Sequence, residues 1–230
     1  MLERNIKSVR SQNSKYNIEH LIVCDNPSRK EEVKEFLSNI GIFPNYYLMK
    51  IFHAKNRGLS AARNSALLQA NGEFIFLLDS DDVFVQNRVD TQIDFMEKYN
   101  LDMSFGGYQE IHGNKQEPEK QEIIPAISGY LEALRQFINP CPCGSTCFRK
   151  KVYAKIGGFD KEMKEGSEDM EYWYRVICNG FKIECLPEVL YYLGITDQNM
   201  TAKLIANGGF NRAAKYLSEK YPDEKWKELE

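Results

Sequence analysis

The sequence predicts an α/β protein: a mostly parallel sheet flanked by helices, followed by a helical C-terminal tail. Two observations carry this. Strand-like and helix-like segments alternate through the first half of the chain, the pattern of a parallel sheet covered on both sides. And at Phe74-Ile75-Phe76-Leu77-Leu78 a run of consecutive apolar residues ends abruptly in Asp79-Ser80-Asp81-Asp82. Such a run is too short for an ordinary helix and is apolar on both faces, so it reads as a strand buried on both faces. Its carboxyl end delivers three carboxylates to the rim where open α/β sheets bind ligands.

The elements follow in order. Residues 1–12 read as a helix with Leu2, Ile6 and Val9 on one face. Ile18 to Asp25 reads as a strand with Leu21-Ile22-Val23-Cys24 as its buried part, and Asp25-Asn26-Pro27-Ser28 as the turn after it. Ser28 is placed to cap a helix running to about Ile40, where Val33, Phe36 and Leu37 supply the apolar stripe and Gly41 the stop. Tyr46 to His53 is a second strand, and Leu59 to Ala70 an Ala-rich helix ended by Asn71-Gly72. The acidic-tipped strand comes next, then a helix over Gln86 to Tyr99 and a strand over Asp102 to Ile111. Residues 112–128 are polar and irregular, a candidate mobile loop, and Gly129 to Ile138 reads as a helix. Ser145 to Phe148 is a short strand and Lys151 to Ile156 a short helix stopped by Gly157-Gly158. Ser167 to Cys178 is a helix opened by a Ser-Glu-Asp cap, and Lys182 to Leu193 is strand-like. From Asp197 the chain is a helical tail with a break at Gly208-Gly209, whose mixture of apolar and charged residues suits an amphipathic helix packed on the domain or on another subunit.

Composition narrows the function classes. The chain has 230 residues, 43% of them apolar, enough for a substantial core. Its net charge of −3 implies no polyanion partner and so no nucleic acid. It contains no run of about 20 apolar residues and no apolar signal core, so the expectation is a cytoplasmic protein with at most peripheral contact at the inner face of the membrane. Six cysteines in a chain this long do not suggest a disulfide scaffold. Cys24, Cys178 and Cys185 read as small core residues, and Cys141, Cys143 and Cys147 as reduced thiols near a loop, their spacing matching no standard zinc knuckle.

Several polar groups stand where ligands should be met. Asp25 ends the first strand, Asn56-Arg57-Gly58 precedes the Ala-rich helix that carries Arg63, and Glu168-Asp169 opens a later helix. With Asp79, Ser80 and Asp81 these offer a partner for a nucleotide edge, a cation, metal ligands and a general base. Carboxylates crowded at Asp79, Asp81 and Asp82 repel one another unless a cation sits among them, and hard oxygen ligands suit Mg or Mn. The same cluster also suits an acidic turn that caps the next helix, Arg63 also suits a surface ion pair, and Glu168-Asp169 also suit helix caps. Tyr172, Trp173 and Tyr174 are of a kind that can stack on sugars, but on a helix they read chiefly as core.

Asn56-Arg57-Gly58-Leu59-Ser60-Ala61-Ala62-Arg63-Asn64, Gly72-Glu73 and Leu78-Asp79-Ser80-Asp81-Asp82, followed in order by Gly157-Gly158-Phe159-Asp160, Glu168-Asp169 and Arg175, resemble the signature of family 2 glycosyltransferases of the GT-A fold. The resemblance covers residues 1–195 as the GT-A domain and leaves 196–230 as the tail. It implies a nucleotide-sugar donor, with UDP as nucleotide, inverting transfer to the hydroxyl of a glycan or lipid-linked acceptor, a divalent Mn or Mg, and a place in bacterial surface-polysaccharide or glycoconjugate synthesis. By the same resemblance Asp81 holds the metal with Asp79, which also faces the ribose. Asp25 accepts from the base edge, and Asn56, Arg63 and Ser80 border the base or diphosphate. Asp169 is the general base and Glu168 orients it or touches the acceptor. A carboxylate at a helix start is expected to be held ionised by the macrodipole, a weak base but a charged one.

The sequence departs from the family in three places. It begins at the helix that normally follows an apolar first strand; the expected consequences are unpaired strand edges, oligomerisation and weak donor binding unless an upstream strand is supplied. Asn26-Pro27 stands where a second Asp and a Gly are common, and Leu193-Gly194 where an Arg or a metal-binding His is found, which leaves the third metal ligand open. The rival reading is therefore a non-catalytic GT-A protein acting as a binding partner. A nucleotidyltransferase is a weaker third, since it leaves Gly157-Gly158-Phe159-Asp160 and Glu168-Asp169 unexplained.

Overall fold

The computed structural model describes residues 1–113, 115, 129, 133, 139, 142–163, 166–195 and 208–222. Most of the loop expected at 112–128, most of the helix expected over Gly129 to Ile138, Cys141, and the tail at 197–207 and 223–230 lie outside those residues.

The first half alternates as expected: α1 (Leu2–Arg10), β1 (Ile18–Cys24), α2 (Lys30–Ser38), β2 (Tyr46–Phe52), α3 (Leu59–Gln69) and β3 (Phe74–Phe76). The second half runs β4 (Val83–Phe84), α4 (Arg88–Lys98), β5 (Met103–His112), β6 (Cys147–Arg149), α5 (Lys150–Ile156), α6 (Glu168–Cys178), β7 (Ile183–Ile195) and α7 (Gly209–Lys220). Two expected caps are different. Ser28 lies in a single 3-10 turn whose cap is Asn26, so α2 starts two residues later. Ser167 precedes α6 in the left-handed region at φ 62 and caps nothing with its hydroxyl.

The α/β class holds, and the strand pairing is mixed. β1 and β2 form a parallel pair, in register from Ile18 opposite Tyr46 to Cys24 opposite Phe52. A separate five-stranded sheet has the order β3-β6-β5-β7-β4. Within it β5 and β7 are parallel, while β6 returns antiparallel to β3 and β5, and β4 antiparallel to β7. Among the described residues β1 pairs on one edge only, and every residue along it is half-buried, including the stretch Leu21 to Cys24 expected in the core. β3 likewise pairs only with β6, and Phe74 and Phe76 are half-buried where a strand covered on both faces was expected.

The main core lies between the five-stranded sheet and α3, α5 and α6. It gathers Leu67, Ile75, Leu77, Phe105, Phe148, Val152, Phe159 and Val176. Tyr172 and Trp173 are fully buried in it, the core role expected of them, and Tyr174 is buried against the ring of Tyr221. Tyr172 stacks on Phe159 with ring centroids 4.4 Å apart. Burying three rings here removes a large apolar area from water and fixes α6 on the sheet. The tail helix α7 adds Ala213 and Leu217 to the same core. The small-residue reading fails for Cys178, which is exposed at the end of α6, while Cys24 and Cys185 are half-buried. Among the described residues no helix is long and apolar enough to cross a membrane.

Candidate active site

The acidic turn after β3 is the centre of the site. Asp82 donates its N–H to the carbonyl of Asp79 at 3.1 Å, which closes the turn and sends the chain back as β4. The three carboxylates then part company. Asp82 turns inward, 2% exposed, and accepts from the backbone N–H of Gly194 at 2.9 Å. Burial, then the charge of Asp79, raises its pKa well above the carboxylate range. Behind it lies Arg88, fully buried, which donates to the carbonyls of Gly144 and Thr146 and sits 4.0 Å over the ring of Phe84. Asp79 and Asp81 remain at the rim, with Ser80 exposed at the tip. Asp81 is also raised, by burial first and then by Asp79. β7 makes room for this turn: a Cβ at Gly194 would strike the backbone of Asp81, so the glycine is a steric requirement.

Arg63 joins this turn to the start of α6. One arm of its guanidinium donates to Asp79 Oδ1 at 2.9 Å and the other to Glu168 Oε1. The side chain is only 10% exposed, and its face lies 5.3 Å from the ring of Phe159. Burial opposes its charge, but the carboxyl groups of Asp79, Glu168 and Asp169 around it keep the guanidinium protonated. Motifs more than 100 positions apart in sequence therefore meet at one cation, as the separation of 105 residues between Arg63 and Glu168 records.

Asp169 lies beside this pair. Its Oδ2 accepts from Asn139 Nδ2 at 2.6 Å and its Oδ1 from the N–H of Met170 at 2.8 Å. Its pKa is raised to about 7, by burial first and then by Glu168, against the pull of Arg63 and these donors. This corrects the expectation of a carboxyl held fully ionised by the helix start: desolvation and a like charge outweigh the dipole. Asn139 and Cys143 were not among the residues the sequence singled out for catalysis. Cys143 is buried next to Arg63, and burial pushes its thiol pKa up, so it is neutral.

Asp25 and Asn56 sit at the other end. Asp25 Oδ1 and Oδ2 accept from the N–H of Arg57 at 2.9 and 3.0 Å, and Oδ2 from that of Gly58 at 2.7 Å. His53 Nδ1 adds a 2.6 Å contact to Oδ1, with its other nitrogen on Ser65. Asn56 Oδ1 accepts from Gly58 at 3.2 Å. Both residues thus shape the loop that leads into α3, and the Asp25 side chain keeps 17% of its surface exposed. The Gly157-Gly158-Phe159 turn is gripped from two sides. Asn64 donates to the Phe159 carbonyl at 2.8 Å and accepts from its N–H at 2.7 Å, while Arg175 donates to the carbonyls of Ile156 and Gly158 at 2.7 Å. A Cβ on Gly158 would collide with Asn64.

The residues at the rim suit a hard divalent cation. Asp79 and Asp81 are near enough for one to raise the other's pKa, and both offer hard oxygens. Among the described residues no group of three His, Cys, Asp or Glu converges on one point.

The site thus sets an acidic turn and a carboxylate helix start at the rim of an α/β sheet. Residues 1–157 match Glycosyl transferase family 2, and the chain belongs to that family. It is 30% identical over 189 residues to an uncharacterized glycosyltransferase of Rickettsia felis, a match spanning 70% of this chain and 29% of that one. Over 98 residues it is 38% identical to the Escherichia coli enzyme WfgD, UDP-Glc:alpha-D-GlcNAc-diphosphoundecaprenol beta-1,3-glucosyltransferase, covering 41% of this chain and 36% of that enzyme. The GT-A fold is shared with GalNAc-T7, solved with UDP, GalNAc and Mn2+, at a TM-score of 0.70 and 18% identity over 97% of this chain and 46% of that one. The chain thus spans about a third of the length of two of these proteins and under half of the other.

Proposed function

We propose that this protein is a metal-dependent inverting glycosyltransferase that moves a sugar from a UDP-sugar to an acceptor hydroxyl. The observation that carries the reading is the Arg63 bridge. It holds the acidic turn and Glu168-Asp169 in one site, where donor and acceptor chemistry must meet. UDP and Mn2+ in GalNAc-T7, and a UDP-sugar donor and lipid-diphosphate acceptor for WfgD, support the choice of nucleotide, metal and acceptor class.

Asp79 and Asp81 would hold Mn or Mg, which offsets the charge that grows on the leaving diphosphate. Ser80 and Arg63 border the diphosphate, and Asp25 and Asn56 set the loop that meets the nucleoside. The acceptor oxygen attacks the anomeric carbon as the bond to the diphosphate breaks, and the diphosphate leaves with the bonding pair. Asp169 takes the hydroxyl proton. A pKa of about 7 makes it a stronger base than an ordinary carboxylate while leaving it largely ionised just above neutrality. Glu168, pinned by Arg63, keeps the start of α6 in place. The acceptor is a glycan or lipid-linked sugar of a bacterial surface polysaccharide, met on the cytoplasmic side of the membrane.

The test is a thermal-shift screen of nucleotide-sugars with Mn2+ or with EDTA. A ligand at 100 times its dissociation constant adds about 2.7 kcal/mol to the folded state. UDP-sugars with Mn2+ are expected to raise Tm and to lose the effect in EDTA. No stabilisation by any nucleotide-sugar, with or without metal, would return the reading to a non-catalytic member of the fold.

A further inference from the structure

α1 carries an apolar face, yet its other buried residues are polar. Arg4, Asn5 and Ser8 are 7%, 3% and 9% exposed. Burying polar side chains on a helix is costly unless each finds a partner. Four of their partners belong to one short segment, the acidic turn and the strand after it.

A single Asn5 amide donates to the carbonyl of Asp79 at 2.8 Å and to that of Asp82 at 3.1 Å. Arg4 donates to the carbonyl of Asp81 at 2.8 Å, and to those of Gly113 and Lys115. Ser8 Oγ accepts from the N–H of Phe84 at 3.1 Å while donating to the Asn5 carbonyl at 2.7 Å. Gln12 continues the row, donating to the carbonyl of Val85 at 2.8 Å. Positions 5 and 8 lie on one face of α1 and Gln12 follows just past its end, so the helix spaces the polar groups that meet the turn and β4. Gly194 closes the opposite side of the turn, where a Cβ would strike Asp81.

We propose that α1 is a template for the acidic turn and that Asn5 is its central positioning residue. By fixing the Asp79 and Asp82 carbonyls it sets where the Asp79 and Asp81 carboxylates stand. Resting on the proposed function above, this makes Asn5 a determinant of metal affinity that touches neither metal nor donor. Its two N–H groups are both required, one for each carbonyl. Loss of the amide removes one donor from each carbonyl, leaving that of Asp79 with the N–H of Asp82 alone, and frees the turn to relax, away from the spacing a shared cation needs.

The experiment measures Mn2+ affinity in the presence of UDP, by calorimetry or by the Mn2+ paramagnetic signal, for wild type, Asn5→Ala and Val33→Ala. Val33 packs with Ile6 and Leu37 in the small core under α1, so its truncation lowers stability without touching the turn. Asn5→Ala is expected to weaken Mn2+ at least tenfold and to speed amide exchange at residues 79–84 without metal. Val33→Ala is expected to stay within twofold of wild type in both. Should Asn5→Ala not fold, Asn5→Ser, which keeps one donor, takes its place with a smaller loss. Wild-type Mn2+ affinity in the Asn5 variant, or equal losses in both variants, would overturn the template. Absence of Mn2+ binding by wild type with UDP would instead overturn the functional reading and the proposal with it.

Discussion

Asp169 is a residue whose job opposes its comfort. Its pKa rises from an ordinary 3.8 to about 7 on folding. The folded state therefore holds the proton more tightly than the unfolded chain, and stability falls as pH climbs through that interval. The loss is complete above about 7 and absent below about 4. Asp169→Asn is thus expected to raise Tm at pH 8 more than at pH 4, in thermal melts across pH. The same variant is expected to retain donor binding while transfer falls on the order of 10²–10⁴-fold, the range for removing a general base. In wild type, transfer is expected to rise with pH through about 7. A flat profile would place the base elsewhere. The sequence placed Asp169 at a helix start but not in this state, because burial, the larger cause, is a tertiary fact.

At the scale of elements, α6 is held from behind by α7. Glu171, fully buried, accepts from Arg175 within α6, from Lys220 Nζ at 2.8 Å and from Tyr221 at 2.5 Å. Arg175, Lys220 and Tyr221 all favour its charge and, against the penalty of burial, lower its pKa. Lys220 also reaches Asp160 at 2.6 Å, as does Tyr216 at 2.7 Å. Leu217→Ala is expected to cost about 2–5 kcal/mol in denaturant unfolding, the range for a core leucine. Glu171→Gln, which leaves Lys220 and Arg175 short of an anion, is expected to loosen α7 first, seen as faster amide exchange over Gly209–Lys220 than over α6. The mixture of apolar residues such as Tyr216, Leu217 and Tyr221 with lysines and glutamates let the sequence read the tail as an amphipathic packing helix. Its partner was not legible, because a stripe states only that a face is buried. The polar face of α1 escaped for the converse reason: an apolar period is blind to buried Asn5 and Ser8. β4, two residues long, is too short for any period.

Across the whole molecule, the order of elements was readable from alternation, whereas strand direction was not. β6 and β4 run antiparallel to their neighbours, and nothing in Cys147-Phe148-Arg149 or Val83-Phe84 distinguishes a parallel from an antiparallel neighbour. The division into two sheets has a measurable consequence. β1 is half-buried and hydrogen-bonded on one edge, while β5 lies between two neighbours with Met103, Phe105 and Ile111 fully buried. Local opening follows burial and pairing. Amides of β1 and β2 are therefore expected to exchange faster than those of β5 and β7, and to slow when UDP and Mn2+ bind if the nucleoside rests on the loop shaped by Asp25.

The Arg63 bridge has a further consequence for the order in which ligands arrive. Asp79, Glu168 and Asp169 face the buried Arg63 guanidinium there, so above pH 7 this group of side chains carries an excess of negative charge. It acts as a filter for charge sign. A bare diphosphate meets repulsion at the mouth, and more of it at low ionic strength, where screening is weakest. A diphosphate already carrying its cation arrives nearly neutral and passes. Donor and metal should therefore enter as one species, and raising free nucleotide above the metal supply should slow the protein rather than saturate it.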